Sequence, residues 1–196
     1  MAQKRFNSKT IVYIAMMSAL GIAISVITIN SVHFGITQIS LDLSHIGTFL
    51  VAIPGGPILG AIAGAIGGIY PGIYFGYLGS NPLYLAGLLG LPAGKALTGI
   101  NAGYIQKKLK RPLFSVTIGY TPECLFTIGL FVFIIPLVTG MPSDIALIVA
   151  LGIVAKAWIE ILFMGFVMET VFLSRGIVSL LRTIFPKWDY TPLTDL

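Results

Sequence analysis

Residues Ile39 to Gly72 read ISLDLSHIGTFLVAIPGGPILGAIAGAIGGIYPG and carry one formal charge, on Asp42. A stretch this long and this apolar leaves no polar face for a water-soluble fold, so it indicates a membrane location. The sequence Pro54-Gly55-Gly56-Pro57 interrupts it, because these residues end one helix and the second proline suits the first position of the next. We therefore predict two helices, at about 43–54 and about 57–70, joined by a tight turn.

Both predicted helices are short for a membrane crossing. At 1.5 Å per residue they rise only ~18 and ~21 Å, against a hydrocarbon core of roughly 30 Å. Unpaired backbone groups are very costly in lipid, so the helix ends must be shielded by protein or open into a wet cavity. The stretch therefore predicts a solvent-facing pocket beside two short helices.

The whole chain has the composition of an integral membrane protein. Of its 196 residues 56% are hydrophobic and 10% are charged, and the mean hydropathy is +0.95. This length suffices for about six spans and excludes a separate soluble domain. We predict an all-α membrane protein of six transmembrane helices, with helices 2 and 3 short, forming a single domain over 1–196. A short extended piece is expected at Thr37 to Leu41, in the first external loop.

The net charge is +5, and most of the basic residues fall in three clusters. The positions of these clusters are more informative than the net charge itself. The clusters contain Lys4, Arg5 and Lys9; Lys107, Lys108, Lys110 and Arg111; and Arg175, Arg182 and Lys187. The positive-inside rule assigns all three to the cytoplasm, with four spans between the first two clusters and two between the last two. The N-terminus (1–10) and the C-terminal segment (175–196) are then both cytoplasmic, and nucleic acid is not expected as a partner. The apolar and basic pattern of 175–185 predicts an amphipathic segment on the inner surface or a frayed end of helix six.

Small residues recur at every fourth position in two predicted spans. Ala15, Ala19 and Ala23 form one row in the first span, at about 11–29, and the row allows a neighbouring backbone to approach closely. The pattern fits docking to a partner and packing within the chain equally well. Gly60, Gly64 and Gly68 form a second row, for which we expect a packing partner inside the bundle.

The third helix is expected to end at Pro71-Gly72, before an external loop that reads GIYFGYLGSNP. Tyr74, Phe75 and Tyr77 in this loop suit either an interfacial aromatic belt or a lid that stacks on a ring-shaped ligand. The remaining spans are predicted at about 82–105, 112–138 and 144–174.

Four charged residues fall inside these apolar spans, and they are the candidates for a binding site. They are Lys95, Glu123, Lys156 and Glu160. Each costs roughly 2.5 to 3.5 kcal/mol to insert, so we expect them to face the bundle interior. Lys156 and Glu160 are i,i+4 neighbours that can neutralise one another, or a lysine can contact an anionic or carbonyl group of a substrate.

Other motifs in the chain do not indicate chemistry. The sequence from Gly90 to Lys95 resembles a phosphate-binding loop, but Leu89 replaces the required glycine and Ala96 the required Ser or Thr. His33 and His45 lack a cluster of metal-ligand spacing and are expected to be loop or cap residues, while Asp42 or Ser44 caps the second helix. No cofactor and no metal are predicted.

Two segments together resemble the substrate-binding S component of energy-coupling factor (ECF) transporters. They are Ala15-Met-Met-Ser-Ala19 and the stretch from Ile39 to Gly68, which follow a basic N-terminus in the order and spacing of that family. The resemblance implies that the face of Ala15 and Ala19, extended here by Ala23, docks onto a transmembrane coupling subunit that works with two ATPase subunits. It implies a location in a prokaryotic plasma membrane.

The resemblance also implies an outward-opening pocket, walled by helices 4, 5 and 6, that captures a vitamin or related micronutrient. Release inward is driven by ATP hydrolysis in the partners, so this chain binds its substrate without transforming it. Gly67-Gly68 stands where flavin-specific members carry a charged or amide pair, so riboflavin is not the favoured substrate. The pocket residues selected by depth and by position in the loops are Asp42, Tyr74, Tyr77, Asn81, Tyr84, Lys95, Glu123, Lys156 and Trp158.

Two other functions remain open at the level of the sequence. An ion-coupled secondary transporter would use Glu123 and Glu160 as a proton or sodium site. A small membrane enzyme is the third hypothesis, and the lack of a serine in a nucleophile-elbow context argues against it.

Overall fold

Helices make up almost all of the described chain. The structure, a computed structural model, describes residues 7–31, 33–34, 39–79 and 83–190, and at 33–34 and 39–40 it describes the backbone. Two short strands, β1 (His33–Phe34) and β2 (Ile39–Ser40), pair antiparallel, with Phe34 opposite Ile39. β2 falls within the extended piece that the sequence predicts.

The helices alternate with short breaks rather than long loops. They are α1 (Ser8–Ser31), α2 (His45–Gly55), α3 (Pro57–Gly67), α4 (Ile69–Ile73), α5 (Tyr84–Leu109), α6 (Pro112–Gly119), α7 (Thr121–Gly129), α8 (Ile135–Thr139), α9 (Ser143–Leu173) and α10 (Arg175–Ile184). A π-helical turn at Tyr74–Leu78 continues α4, and another at Leu130–Ile134 joins α7 to α8.

The predicted break between the second and third helices lies at Gly56. This residue has a φ of +81°, in the left-handed region that glycine adopts without strain, and Pro57 is the first residue of α3. Of the two residues predicted to cap α2, Ser44 precedes the helix, but its hydroxyl accepts a hydrogen bond from Lys95 and does not cap the backbone. Asp42 Oδ1 instead accepts a hydrogen bond from the backbone N–H of Ser44 at 3.0 Å.

α3 ends at Gly67, inside the predicted bounds of about 57–70, but more helix follows it and the expected external loop begins later. After α3 the chain bends by 40° and remains helical from Ile69 to Leu78, so the two parts together rise about 30 Å. Pro71 does not end the helix because it occupies the first turn after the bend, where its missing N–H costs little. α3 itself is short, as predicted, with 11 residues, but the prediction of a loop from Gly72 is wrong because that segment is helical.

Several helices are long and apolar enough to cross a membrane. Among the described residues these are Ser8–Ser31, Pro112–Thr139 and Ser143–Leu173, and the bent pair from Pro57 to Leu78 makes a fourth. α5 has 26 residues but a lower hydropathy, and α2 has only 11. Large apolar side chains cover the outside of the bundle, for example Phe133, which is 70% exposed, and Leu137, which is 83% exposed. This is the construction of an all-α membrane protein.

The glycine row of α3 packs against α5. A methyl group added to Gly60 would lie 2.5 Å from the carbonyl oxygen of Gly99, and one added to Gly64 would overlap the carbonyl of Lys95. This close approach confirms a packing partner inside the bundle. It also fixes the backbone that carries Lys95.

A second glycine contact joins α1 to α2. A methyl group on Gly21 would lie 2.7 Å from the carbonyl oxygen of Ser44, and one on Gly47 would overlap the carbonyl of Met17. The contact holds the start of α2, with Ser44 and His45, against α1.

The alanine row of α1 faces away from the bundle. Ala15, Ala19 and Ala23 are all exposed, whereas Ile14 and Ser18, on an adjacent face of the helix, are buried. The row therefore makes no packing contact within the described chain that would bury it.

The basic clusters, as far as they are described, gather at one end of the bundle. The Tyr13 hydroxyl, near the start of α1, donates to the carbonyl of Leu50 at 3.0 Å, and its ring meets Phe185 edge-on. Lys110, just after α5, forms an ion pair with Asp189 and holds the pKa of that carboxyl below its usual range. α10 starts after a break at Ser174 and is a separate helix, not a frayed end of α9.

Candidate ligand-binding cavity

A cavity of about 720 Å³ lies between α5, α7 and α9. It extends from Gly79, Leu83 and Met141, beside the loops at one end of the bundle, to a cluster of charged side chains deep inside. Its volume is in the range of sites for small organic ligands. The charged and imidazole groups in its lining are those of Asp42, His45, Lys95, Glu123, Lys156 and Glu160.

Lys95 is the most buried of these groups, with 2% of its side chain exposed. Its ammonium nitrogen lies 2.6 Å from Asp42 Oδ2, donates to the Ser44 hydroxyl, and lies 3.4 Å from His45 Nδ1. An ammonium group has three N–H donors, and these three acceptors match them. The glycine contacts of α3 with α5 and of α1 with α2 bring the partners together.

His45 and Glu123 form the second part of the cluster. His45 Nε2 lies 2.9 Å from Glu123 Oε2, which also accepts from the hydroxyl of Thr98. Because Nδ1 of the ring faces the ammonium of Lys95, it is the acceptor, and the proton is assigned to Nε2, which donates to Glu123. The imidazole thus relays hydrogen bonds from Lys95 to Glu123.

Glu160 joins the third pair to the same network. Its Oε1 lies 3.0 Å from Nζ of Lys156 and accepts from the backbone N–H of Asp42 at 2.9 Å. Asp42 Oδ1 in turn accepts from the hydroxyl of Ser25, on α1, at 3.0 Å. The network therefore links α1, the start of α2, α5, α7 and α9.

The rest of the cavity lining is mainly apolar and aromatic. The rings in the lining are those of Tyr74, Phe75, Tyr120, Phe126 and Phe131. Aromatic faces suit a flat ring system or a cation, through stacking and cation–π attraction. The cavity thus combines these aromatic walls with a polar floor. The polar floor is formed by Asp42, His45, Lys95, Glu123, Lys156 and Glu160.

Five of the residues selected from the sequence meet in this cavity. They are Asp42, Tyr74, Lys95, Glu123 and Lys156. The i,i+4 pair of Lys156 and Glu160 also forms, so the two charges offset one another within the cavity wall.

Three selected residues do not line the cavity, and one lies outside the described residues. Tyr77 is 50% exposed and its ring packs edge-on against that of Tyr84, 6.4 Å away, outside the cavity. Trp158 was selected by its predicted depth, but its ring packs edge-on against Tyr120 and the neighbouring Ala157 lines the cavity instead. Depth alone does not decide which face of a helix points inward. Asn81 falls in the gap between residues 79 and 83.

The sequence reasoning missed His45 and did not place Glu160 in the pocket. His45 is not a surface cap residue: it is 7% exposed, and both of its ring nitrogens face charged partners. The available signal was its position, since a histidine three residues after Asp42 in an otherwise apolar stretch needs polar partners inside the bundle. Tyr120 carried no comparable signal.

The acidic and imidazole side chains of the cluster are spread over several helices. Within residues 7–31, 33–34, 39–79 and 83–190, no three His, Cys, Asp or Glu side chains are grouped to hold a metal ion. What the cavity offers is hydrogen-bonding carboxylates beside aromatic rings.

Comparison with protein-family models, with curated proteins and with solved structures found no match to this chain. The resemblance to ECF S components therefore depends on the residues quoted for it.

Proposed function

We propose that this chain is the substrate-binding S component of an ECF-type importer, which captures a vitamin or related micronutrient outside the cell. The cavity of about 720 Å³ carries this proposal, because a polar floor and aromatic walls inside a helical bundle form a binding site rather than a packed core. ATP hydrolysis belongs to the partner subunits, and the chain binds its substrate without transforming it.

The proposed layout has six crossings. They are α1, α2, α3 with α4, α5, α6 to α8, and α9, in a prokaryotic plasma membrane. The basic residues at one end of the bundle favour a cytoplasmic location for both termini under the positive-inside rule. The cavity approaches the loops at the opposite end, which is the external end in this layout.

The proposed contact with the coupling subunit is the alanine row of α1. Small side chains let two helices approach closely in a membrane, and all three alanines of this row are exposed. The neighbouring Met16, which is 60% exposed, extends the apolar surface around it.

The ion-coupled alternative is less well supported by the site. A carboxylate that carries a proton or sodium ion across the membrane must exchange it freely, whereas Oε2 of Glu123 is held by His45 and Thr98, and Oε1 of Glu160 by Lys156 and the backbone of Asp42. Uptake that continues without the ATPase subunits and stops when the ion gradient is dissipated would establish this alternative instead.

The docking proposal is tested by Ala15→Trp and Ala19→Trp. Each adds a large ring to the exposed row, so we expect loss of co-purification with the coupling and ATPase subunits while the small molecule that co-purifies with the isolated chain is retained. Affinity purification measures the first property, and mass spectrometry of the bound ligand measures the second.

Leu125→Trp is the matched control, because Leu125 is 67% exposed on α7, away from the alanine row. It should leave assembly intact. Normal assembly of both alanine variants would refute the docking face, and disruption by Leu125→Trp as well would show a general effect of the added ring.

A further inference from the structure

The charged groups of the cavity do not balance. Its described lining contains three carboxylates, those of Asp42, Glu123 and Glu160, against the two ammonium groups of Lys95 and Lys156. His45 is counted as neutral because its Nδ1 faces the ammonium nitrogen of Lys95 at 3.4 Å, where it is assigned as an acceptor. One negative charge therefore remains, and a buried charge without compensation is costly in an apolar bundle.

Both lysine ammonium groups of the cavity already form contacts with other residues of the protein. The ammonium of Lys95 faces Asp42, Ser44 and His45, and that of Lys156 lies 3.0 Å from Glu160. An anionic ligand would have to displace these contacts and would add to the negative charge already present.

One carboxylate oxygen of Glu123, in the cavity lining, can still accept a hydrogen bond. Its side chain is 8% exposed, and both of its hydrogen bonds, from His45 and Thr98, go to Oε2. Oε1 accepts no hydrogen bond from the described residues and lies beside Gly94, which has no side chain to cover it. A carboxylate oxygen in this position suits an N–H donor on a ligand, most strongly a charged one.

From this arrangement we infer that the cavity selects a cationic or amine-bearing aromatic molecule, with its positive group on Glu123 and its ring between the aromatic walls. Such a ligand supplies the missing positive charge. Tyr74 and Phe126 belong to walls that attract both the ring and the cation. This inference rests on the proposed binding role of the cavity and names its substrate class.

Two probes of nearly equal shape and opposite charge test the inference. Tryptamine carries an ammonium group on an indole, indole-3-acetate carries a carboxylate, and 3-ethylindole is the neutral reference. We expect tryptamine to bind the purified chain in lipid nanodiscs at least about tenfold more tightly than the other two, as measured by isothermal titration calorimetry.

The variant Glu123→Gln removes the charge and keeps an oxygen that accepts from His45 and Thr98. It should weaken tryptamine binding about tenfold and leave 3-ethylindole unchanged. Asp189→Asn removes one carboxylate at the opposite end of the bundle, where Asp189 is exposed, and should change neither affinity.

Three results would overturn the inference. They are equal or tighter binding of indole-3-acetate, no saturable binding of tryptamine, and equal binding of tryptamine and 3-ethylindole, which would mean that a proton already neutralises the cluster. The importer role is tested separately, by co-purification with the coupling subunit. The inferred ligand class can therefore be refuted while the importer role stands.

Discussion

Lys95 illustrates how one residue determines the interior of this protein. Its ammonium group is buried within α5, where a charge costs roughly 2.5 to 3.5 kcal/mol on insertion scales. The cost is offset because three acceptors from the start of α2 and from the segment before it surround the nitrogen. Lys95 therefore acts as the centre around which the polar floor is arranged.

Replacing Lys95 by Met should destabilise the protein strongly. The change leaves the carboxylate of Asp42, whose side chain is only 13% exposed, without its counter-ion, which costs up to about 3–5 kcal/mol. Denaturant titration of the purified protein measures the loss. The double variant Lys95→Met/Asp42→Asn should recover part of it.

Lys108→Met is the comparison, because Lys108 is an exposed lysine on the same helix, with its ammonium over the ring of Tyr104. Its effect should stay within about 0.5 kcal/mol. Equal effects of the two single variants would mean that the buried pair contributes nothing to stability.

The sequence predicts the charged residues of the site better than their partners. Lys95 and Glu123 stand out because a charge in an apolar span must face the interior. The contact between His45 and Glu123 joins residues 78 positions apart, and no local pattern encodes it. Trp158 was selected by depth, which fixes height in the membrane but not orientation around the helix axis.

At the scale of elements, glycine contacts position the helices that carry the site. The contact of Gly64 with the carbonyl of Lys95 leaves no space for a side chain, so α3 and α5 pack with their backbones in contact. This short distance between α3 and α5 also helps to set the position of Lys95 relative to Asp42.

Gly64→Ala should separate α3 from α5 and cost about 1–3 kcal/mol through overpacking. It should also weaken ligand binding, because the backbone of Lys95 moves. Thermal unfolding and calorimetry measure the two effects.

Gly129→Ala provides the control, since a methyl group at the end of α7 meets nothing within 4 Å. This change should be neutral or slightly stabilising, because alanine favours a helix by about 1 kcal/mol over glycine. A Gly64→Ala variant that matches it in stability would contradict the tight helix contact.

The glycine row was predictable, because small residues at every fourth position define a face. The extension of the third helix was not. Pro71-Gly72 is a usual stop signal, but a bend after α3 places Pro71 in a new first turn, where proline is tolerated. Whether Pro71 ends the helix or begins a new one depends on packing against α5, and the local sequence does not encode that packing.

At the scale of the whole molecule, the proposed topology predicts which residues are reachable from each side of the membrane. Ser143→Cys, at the start of α9, should react with a membrane-impermeant maleimide in intact cells. Ser8→Cys and Ser179→Cys should react only after the membrane is opened. The natural chain is a suitable background because its single cysteine, Cys124, is buried.

Labelling of Ser8→Cys in intact cells, or of Ser8→Cys and Ser179→Cys on different sides, would contradict the proposed orientation. The sequence alone indicates this orientation from its basic clusters. The number of crossings is harder to predict, because the glycines and Lys95 that build the site also lower the hydropathy of α5.

Helix α1 joins the charged network on one face and carries the proposed docking surface on another. The first face reaches the charged network through Ser25, which donates to Asp42, and the second presents Ala15 and Ala19 to the exterior. A ligand that alters the position of Asp42 thereby alters the energy of α1, and thermodynamic linkage makes such an effect reciprocal. In the proposed assembly, the factor by which a ligand changes affinity for the coupling subunit is the factor by which that subunit changes affinity for the ligand.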